Sequence, residues 1–443
     1  MIKFQNKNQY YLFEKKFKKI SNYNDLMKYY ILFKKKFIKL NNEFKFSSAI
    51  DYNYINKKLR NINFKTKKIF FLIPFGVKDI FNTKNLRTEF GSVLYKHFYP
   101  GNNARLVDII IQKQGLIISK TTTAEFAVHY FPEKKTLNPH NKRHITGTSS
   151  AGSAVSVACG ALPVALGTQT AGSIIRPASY CGTIGFKPSF GALDRTGVLK
   201  TTDTLDTVGL FASDFYGLKK VFRNIIQISD EYPFSKKYLV KKKTKIKGLI
   251  CSDIFRFYNF YDEIVKKDFD NFRSKYLDKS FIKNSKKLDF INEIHKNHEL
   301  IYLKSLSYYF KKIKNKKKQT SQIMKEMIIK GNKISIEEYL KSLEVQKKLS
   351  SKFDKLMQNY DFIITPSTAS PAPKIGTKEK DDTSLIWTFL GAPSISIPIF
   401  YDTKRKLPFG LQLISKRYDD FSLLKFAEQI TNLIIKNEKN NIS

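Results

Sequence analysis

The chain has 443 residues, with 79 Lys and Arg against 38 Asp and Glu, and a formal net charge of +41. This length allows one large domain or up to three ordinary ones, and 20 Gly with 14 Pro residues exclude a collagen-like or low-complexity chain. Three cysteines are too few for a disulfide framework and lack the spacing of metal ligands. We expect neither a metal nor another cofactor. No apolar run reaches the roughly 18 residues of a membrane span and no signal-peptide pattern opens the chain, which predicts a cytoplasmic protein without a membrane segment.

The basic surplus raises the question of a nucleic-acid partner, because Lys and Arg neutralise phosphates. However, 11 of the 79 basic residues are Arg, the residue preferred for bidentate contacts to phosphates and bases. Residues 1–70 carry 18 basic and 4 acidic side chains, whereas residues 121–215 carry 8 and 6. The charge therefore avoids the central segment. We predict a solvated basic surface and do not expect nucleic acid as a partner, and a basic nucleic-acid-binding protein is kept as an alternative from another functional class.

The first half of the chain predicts helices and strands in alternation. Residues 1–65 favour one or two amphipathic helices packed on the outside of the core. Residues 69–77 form a short apolar run typical of a buried strand, and from residue 103 a helix is followed by a turn at Gly115 and a strand. After a small-residue loop at 147–153, we predict a tightly packed helix and then a strand.

The second half begins with a Lys-rich stretch and returns to strand patterns. Residues 216–350 contain Lys runs at 241–243 and 316–318 between helical segments, and we interpret this stretch as a helical excursion from the main domain. Strand patterns return at 360–376 and 389–399, and residues 419–436 predict a closing helix. This alternation indicates an α/β layered fold.

The central segment 147–191 contains two Ser/Thr/Gly clusters that are nearly free of charge, in which small residues let backbone N–H groups approach a ligand closely. Gly147 and Gly152 have the spacing of a phosphate-binding loop, but Ser153 stands where that loop requires Lys. The G-x-S-x-G motif of many serine hydrolases is also absent. This leaves a hydroxyl nucleophile activated by a group other than a nearby His. A buried Lys can serve as that base, since desolvation lowers the pKa of its amine. Lys78 is the candidate base because it follows an apolar strand.

The motifs GTSSAGSA, TQTAGSIIRPASYCGTIGFKPSFG and LDTVGLFA resemble those of the amidase signature family of serine hydrolases. PFGVKDIFNT, KTTTAEFA, NNARLVDIIIQKQGLII, YDFIITPSTASPAP and GAPSISIPIFYDTKRKLPFGLQLI are similar to further family segments and occur in the same order. The resemblance covers residues 70–430, weakly at 216–350. It implies an α/β amidase signature fold, in which helices cover both faces of a central mixed β-sheet. The implied organisation is an N-terminal helical segment at 1–65 and an amidase signature domain at 66–430.

The resemblance also implies a Ser–Ser–Lys catalytic triad. Ser173 would be the nucleophile that forms an acyl-enzyme, Ser149 would bridge to the base after a cis peptide bond, and Lys78 would be the base. An oxyanion hole would be formed by backbone N–H groups of the second loop: those of Thr170, Ala171, Gly172 and Ser173.

Three other residues have supporting roles in this interpretation, and one position departs from the family pattern. Ser150 is expected to support its loop through hydrogen bonds or to cap the following helix. Arg176 is a candidate partner for a substrate carboxylate, with a structural ion pair as the alternative. Asp206 is expected to hold a loop, and Gln169 stands where the family frequently has Asp.

The resulting functional prediction is an amidase that hydrolyses a linear carboxamide to the carboxylic acid and ammonia or an amine. The alternative within the family is the A subunit of the glutamyl/aspartyl-tRNA amidotransferase, which passes ammonia to a partner. The order TQTAGSIIRP and the chain length favour the stand-alone amidase. We expect a small-molecule amide as the substrate, and a homodimer is one option for an oligomeric state that the sequence leaves open.

Overall fold

The computed structural model describes residues 8–128, 136–226, 248–250, 261–277, 282–284, 288, 291–315, 319–380 and 382–440. In this part of the chain, eleven strands form one mixed sheet. The strands are β1 (Ser47–Ala49), β2 (Pro74–Lys78), β3 (Leu116–Thr121), β4 (Val164–Gln169), β5 (Ile184–Lys187), β6 (Thr207–Ala212), β7 (Gly248–Ile250), β8 (Ile282–Asn284), β9 (Phe362–Pro366), β10 (Ser394–Asp402) and β11 (Leu407–Ser415).

The sheet order is β1-β3-β2-β4-β6-β5-β10-β11-β9-β7-β8. Strand β2 is parallel to both of its neighbours, β3 and β4. The pairs from β4 through β6, β5, β10 and β11 to β9 are antiparallel, and β7 is parallel to β9 and β8. The parallel strands β3, β2 and β4 are therefore adjacent, which determines where the loops that follow them meet.

Helices flank this sheet. They are α1 (Gln9–Lys18), α2 (Tyr23–Phe44), α3 (Tyr52–Arg60), α4 (Arg105–Gln112), α5 (Ala151–Ala158), α6 (Ile175–Cys181), α7 (Phe215–Ile225), α8 (Glu263–Tyr276), α9 (Ile291–Tyr309), α10 (Gln322–Lys333), α11 (Ile336–Leu356), α12 (Ser384–Phe389) and α13 (Asp420–Asn440). Helix α5 packs on β2, β3 and β4, and both α6 and α13 pack on β10 and β11. The predicted α/β fold, a central mixed sheet covered by helices, is confirmed.

Small side chains allow α5 to pack closely against the chain around it. A Cβ atom added at Gly152 would lie 2.3 Å from the backbone nitrogen of Thr122 and 2.4 Å from the carbonyl oxygen of Phe46. Real Cβ atoms do not approach backbone atoms this closely, so glycine is required at this position. The Ala-Gly-Ser composition of the segment thus reflects the contact distance between α5 and its neighbours.

The N-terminal region contains more structure than one or two helices. The described residues up to position 65 form three helices and the edge strand β1, which pairs antiparallel with β3. Three residues are too few to show strand periodicity, and only the pairing with β3 makes the segment a strand. Helix α1 is joined to α7 by a hydrogen bond of 2.8 Å from the backbone N–H of Tyr10 to the Asp214 carboxylate. The domain boundary at residue 65 stays a prediction.

Five helices, α7 to α11, lie within the segment 216–350 or overlap its ends, counting its described residues. It also contributes β7 and β8 to the end of the sheet, which the helical prediction did not include. The Lys runs at 241–243 and 316–318 lie outside the described residues. None of the helices that the structure describes is both long enough and apolar enough to cross a membrane.

Candidate active site

The candidate catalytic residues gather where the parallel strands β3, β2 and β4 end. Lys78 is the last residue of β2 and lies beside Thr121, the last residue of β3. On the other side, Val77 is in register with Leu166 of β4, which ends three residues later. Because the carboxyl ends of neighbouring parallel strands share one edge of the sheet, the loops after these strands come together there.

Lys78 is in hydrogen-bonding contact with the candidate bridging serine. The Lys78 side chain is completely buried, and its Nζ lies 2.8 Å from Oγ of Ser149 and 2.9 Å from Oγ1 of Thr168. Ser149 is 1% exposed. The Thr148–Ser149 peptide bond is cis, as the family resemblance implies.

The loop that carries Ser149 is attached to β4 by its neighbouring serines. Ser150 Oγ donates a 3.0 Å hydrogen bond to the carbonyl of Thr168 and accepts one of 3.3 Å from the N–H of the same residue. Ser153 Oγ donates to the carbonyl of Leu166 at 2.7 Å. Ser150 occupies the N-cap position of α5 but makes no side-chain capping bond. Of its two expected roles, the structure shows the loop support.

The second loop, residues 170–173, joins β4 to α6. Gln169 accepts hydrogen bonds at its Oε1 from the backbone N–H groups of Ile174 and Ile175, at 2.8 and 3.0 Å. Its Nε2 donates to Oγ1 of Thr388 at 2.9 Å. The oxygen of the carboxamide therefore closes the loop, and its NH2 group connects the loop to α12. An ionised carboxylate at this position has no hydrogen to donate and could not make the second contact.

Three consecutive carbonyl groups of this loop accept hydrogen bonds from three different elements. Their donors are His298 Nε2 to the Thr170 oxygen at 2.8 Å, Thr388 Oγ1 to the Ala171 oxygen at 2.7 Å, and the Arg176 backbone N–H to the Gly172 oxygen at 2.9 Å. The backbone N–H groups of Ala171, Gly172 and Ser173 have no hydrogen-bond partner among the residues that the structure describes. The loop thus has its carbonyls occupied and these amide donors available.

Ser173 follows these donors and is 8% exposed. Its Oγ has no hydrogen-bond partner in the described part of the chain. The structure therefore joins Lys78 directly to Ser149, while no hydrogen bond between described residues joins Ser149 to Ser173.

Asp206 fixes the other side of the second loop. Its carboxylate accepts a 2.8 Å hydrogen bond from Oγ1 of Thr170. It also accepts hydrogen bonds from the backbone N–H and the hydroxyl of both Thr201 and Thr202, at 2.6 to 3.0 Å. This confirms the expectation that Asp206 holds a loop, and it connects that loop to the first residue of the candidate oxyanion hole.

Arg176 is paired with two buried carboxylates. Its Nε lies 2.8 Å from Oδ2 of Asp382, and its Nη1 lies 3.0 Å from Oε2 of Glu379. Burial raises the pKa of Glu379 to about 7, although the charge of Arg176 acts in the opposite direction. A Cβ atom on Gly172 would come within 2.8 Å of Nη2 of Arg176, so glycine allows the guanidinium to pack against the loop. Of the two expectations for Arg176, the structure shows the ion pair within the protein; the binding of a substrate carboxylate stays a prediction.

A second buried ion pair holds the segment after Lys78. Nζ of Lys120 lies 3.4 Å from Oδ1 of Asp79, and both side chains are almost completely buried. Lys120 also donates to Oγ1 of Thr88 at 2.7 Å and to the carbonyl of Phe81. Burial raises the pKa of Asp79 and lowers that of Lys120, because it disfavours both charged forms. The pair is therefore maintained by close contact against a cost of desolvation.

The chain matches the family model described as Amidase over residues 34–424. It belongs to the amidase family. It is similar to the A subunit of the glutamyl-tRNA(Gln) amidotransferase of Halalkalibacterium halodurans, with 28% identity over 424 residues that cover 83% of this chain and 85% of the relative. The family comprises enzymes that act on carbon–nitrogen bonds.

Solved structures of this amidase fold superimpose well on the chain. The crystal structure of an amidase has a TM-score of 0.79 at 20% identity, covering 90% of this chain and 94% of that one. The A subunit of the glutamyl-tRNA(Gln) amidotransferase from Thermotoga maritima has a TM-score of 0.71 at 23% identity, covering 88% of each chain. These likenesses concern the fold.

Sequence reasoning missed three side chains that the structure places at the candidate site. Thr168 contacts Lys78, His298 contacts the Thr170 carbonyl, and Thr388 contacts the Ala171 carbonyl. Thr168 could have been found from the register of β4 beside β2. His298 and Thr388 carry no local signal, because 128 and 217 residues separate them from their partners. Among the described residues, no group of three or more His, Cys, Asp or Glu is arranged to hold a metal ion.

Proposed function

We propose that this amidase-family protein hydrolyses a linear carboxamide to the carboxylic acid and ammonia or an amine. Ser173 is the nucleophile, Ser149 the proton bridge and Lys78 the base. The observation that carries the proposal is the 2.8 Å contact between Nζ of Lys78 and Oγ of Ser149 inside the protein. Complete burial disfavours an ammonium ion, which supports a neutral amine as the resting form of Lys78.

Acylation begins with attack of Ser173 Oγ on the carbonyl carbon of the amide. As the new C–O bond forms, the Ser173 proton moves to Ser149 and the Ser149 proton moves to Nζ of Lys78. Negative charge develops on the former carbonyl oxygen. The free N–H groups of Ala171, Gly172 and Ser173 support an oxyanion hole here, with Thr170 as the fourth predicted donor.

Collapse of the tetrahedral intermediate breaks the C–N bond and leaves an ester on Ser173. Ser149 protonates the leaving amine and recovers its own proton from Lys78, so the base is neutral again. Water then attacks the ester, giving up its proton by the same route. This step releases the carboxylic acid and restores the Ser173 hydroxyl.

Labelling with a serine-reactive fluorophosphonate, read by intact-protein mass spectrometry, tests the triad. We expect one adduct on the wild type, and none on Ser173→Ala or Lys78→Met, because one variant lacks the nucleophile and the other lacks the base. Ser156→Ala is the matched control: Ser156, on α5, is likewise a buried serine, but among the described residues its hydroxyl bonds only to the carbonyl of Ser153. It should label like the wild type.

Ammonia release from a panel of linear amides, glutamine and asparagine included, then tests hydrolysis. An adduct that persists on Ser173→Ala would show that the nucleophile is wrong. Full labelling of a folded Lys78→Met variant would show that Lys78 is not the base. Location in the cytoplasm and a homodimeric state stay predictions.

The second candidate is the A subunit of a tRNA-dependent amidotransferase, which the names of the similar relatives favour. The proposed triad chemistry would be the same, but the ammonia would pass to a partner protein. Turnover of free amides by the chain alone supports the stand-alone amidase. Turnover that appears only when the partner proteins and aminoacylated tRNA are added supports the amidotransferase.

A further inference from the structure

We propose that His298 is a positioning residue for the oxyanion hole, and that Thr388 has the same role one peptide unit further along the loop. This inference rests on the proposed function and deepens it. It gives the helical segment 216–350 a part in catalysis, since α9 carries His298.

His298 is 4% exposed and its Nε2 lies 2.8 Å from the carbonyl oxygen of Thr170. A carbonyl oxygen only accepts hydrogen bonds, so the hydrogen of the imidazole is on Nε2. Burial lowers the pKa of His298 to about 4, which keeps the ring neutral near pH 7. The neutral imidazole of His298 therefore donates one hydrogen bond to the Thr170 carbonyl.

Each occupied carbonyl shares a rigid peptide unit with a candidate oxyanion donor. The Thr170 carbonyl and the Ala171 N–H belong to one planar group, in which they point in opposite directions. The Ala171 carbonyl, bound by Thr388, is related in the same way to the Gly172 N–H. A donor that fixes the oxygen therefore also fixes the direction of the N–H.

The same bonds strengthen the donors that they orient. A hydrogen bond accepted by the C=O of an amide polarises the group and makes its N–H a better donor. They also prevent the carbonyl oxygens from turning toward the site, where they would repel the developing oxyanion. Preorganised donors of this kind stabilise charge without having to rearrange during the reaction.

The test compares His298→Leu with His298→Gln. Leu removes the donor but fills a similar volume, whereas the Gln side-chain amide can replace Nε2–H. We expect His298→Leu to lower kcat and the rate of fluorophosphonate labelling by about tenfold to a hundredfold, less than the 10²–10³ lost when an oxyanion donor is removed outright. KM should be nearly unchanged, and His298→Gln should recover most of the rate.

Thr388→Val and Thr388→Ser form a second pair, which decides the question if His298→Leu does not fold. Thr388→Val should lose rate through kcat, and Thr388→Ser should retain it because it keeps the hydroxyl. Rates unchanged in both deletion variants, or losses found only in KM, would overturn the inference while the proposed function stands. A folded wild type that neither labels nor turns over amides would overturn the proposed function and this inference with it.

Discussion

The buried imidazole of His298 should make the stability of this protein depend on pH between about 4 and 6.5. Burial lowers its pKa to about 4, against the opposing effect of its bond to the Thr170 carbonyl, whereas a histidine in the unfolded chain titrates near 6.5. Between these values the unfolded chain binds a proton that the folded protein does not. The contribution of neutral His298 is therefore complete above pH 6.5 and is lost as the pH falls toward 4.

Each factor of ten between the two dissociation constants corresponds to about 1.4 kcal/mol of unfolding free energy. The gap between 6.5 and about 4 thus predicts a loss of about 3 kcal/mol between pH 7 and pH 4. This is a large fraction of the 5–15 kcal/mol that stabilises typical proteins.

Urea unfolding of the wild type and His298→Gln at several pH values measures this effect. Since Gln does not titrate, the difference between the two proteins cancels the contributions of the other ionisable groups. We expect the difference in unfolding free energy to shift by about 3 kcal/mol in favour of the variant as the pH falls to 4. A difference that stays constant with pH would refute the burial of a neutral His298. His97→Gln, at an exposed imidazole, is the control for the substitution itself.

Two further predictions concern buried contacts near the site. Lys120→Met should destabilise the protein by about 3–5 kcal/mol in urea unfolding, since it leaves the Asp79 carboxylate buried without its cation. Adding Asp79→Asn should recover part of that loss, and strictly additive effects would contradict a coupled pair. Gly152→Ala should cost at least about 1–3 kcal/mol, because its Cβ would lie 2.3 Å from the backbone nitrogen of Thr122, which cannot rotate away. Gly101→Ala is the control, since its Cβ would meet nothing within 4 Å, and equal midpoints for the two variants would contradict the packing of α5.

The elements with a strong local pattern follow from the sequence. The helix and strand on either side of Gly115, the small-residue helix α5, strand β4 and the closing helix α13 all lie where their patterns predict. Hydrophobic periodicity and turn residues act over a few neighbouring positions, so they are visible in a single chain. The three-residue strands β1, β7 and β8 were missed because such segments have too few positions to show a period, and only pairing defines them.

The candidate site also contains residues that the sequence predicts and residues that only the structure shows. The sequence by itself determined the two small-residue loops and proposed Lys78, Ser149 and Ser173, because these residues lie within motifs that resemble a family. It could not determine which side chains support the loops. Thr168 contacts Lys78 only because β4 runs parallel to β2 in one particular register.

The tertiary structure also determined the ion pairs of Arg176 and the contacts that hold the second loop, residues 170–173. Asp382 pairs with Arg176 across 206 positions of the chain, and His298 reaches the Thr170 carbonyl across 128. Contacts of this range depend on the order of strands in the sheet and on how helices pack upon it. Strand order and helix packing produce no pattern in the residues near the motif. The reactive residues of the loops can therefore be predicted from the sequence, whereas the contacts that support the loops depend on the tertiary structure.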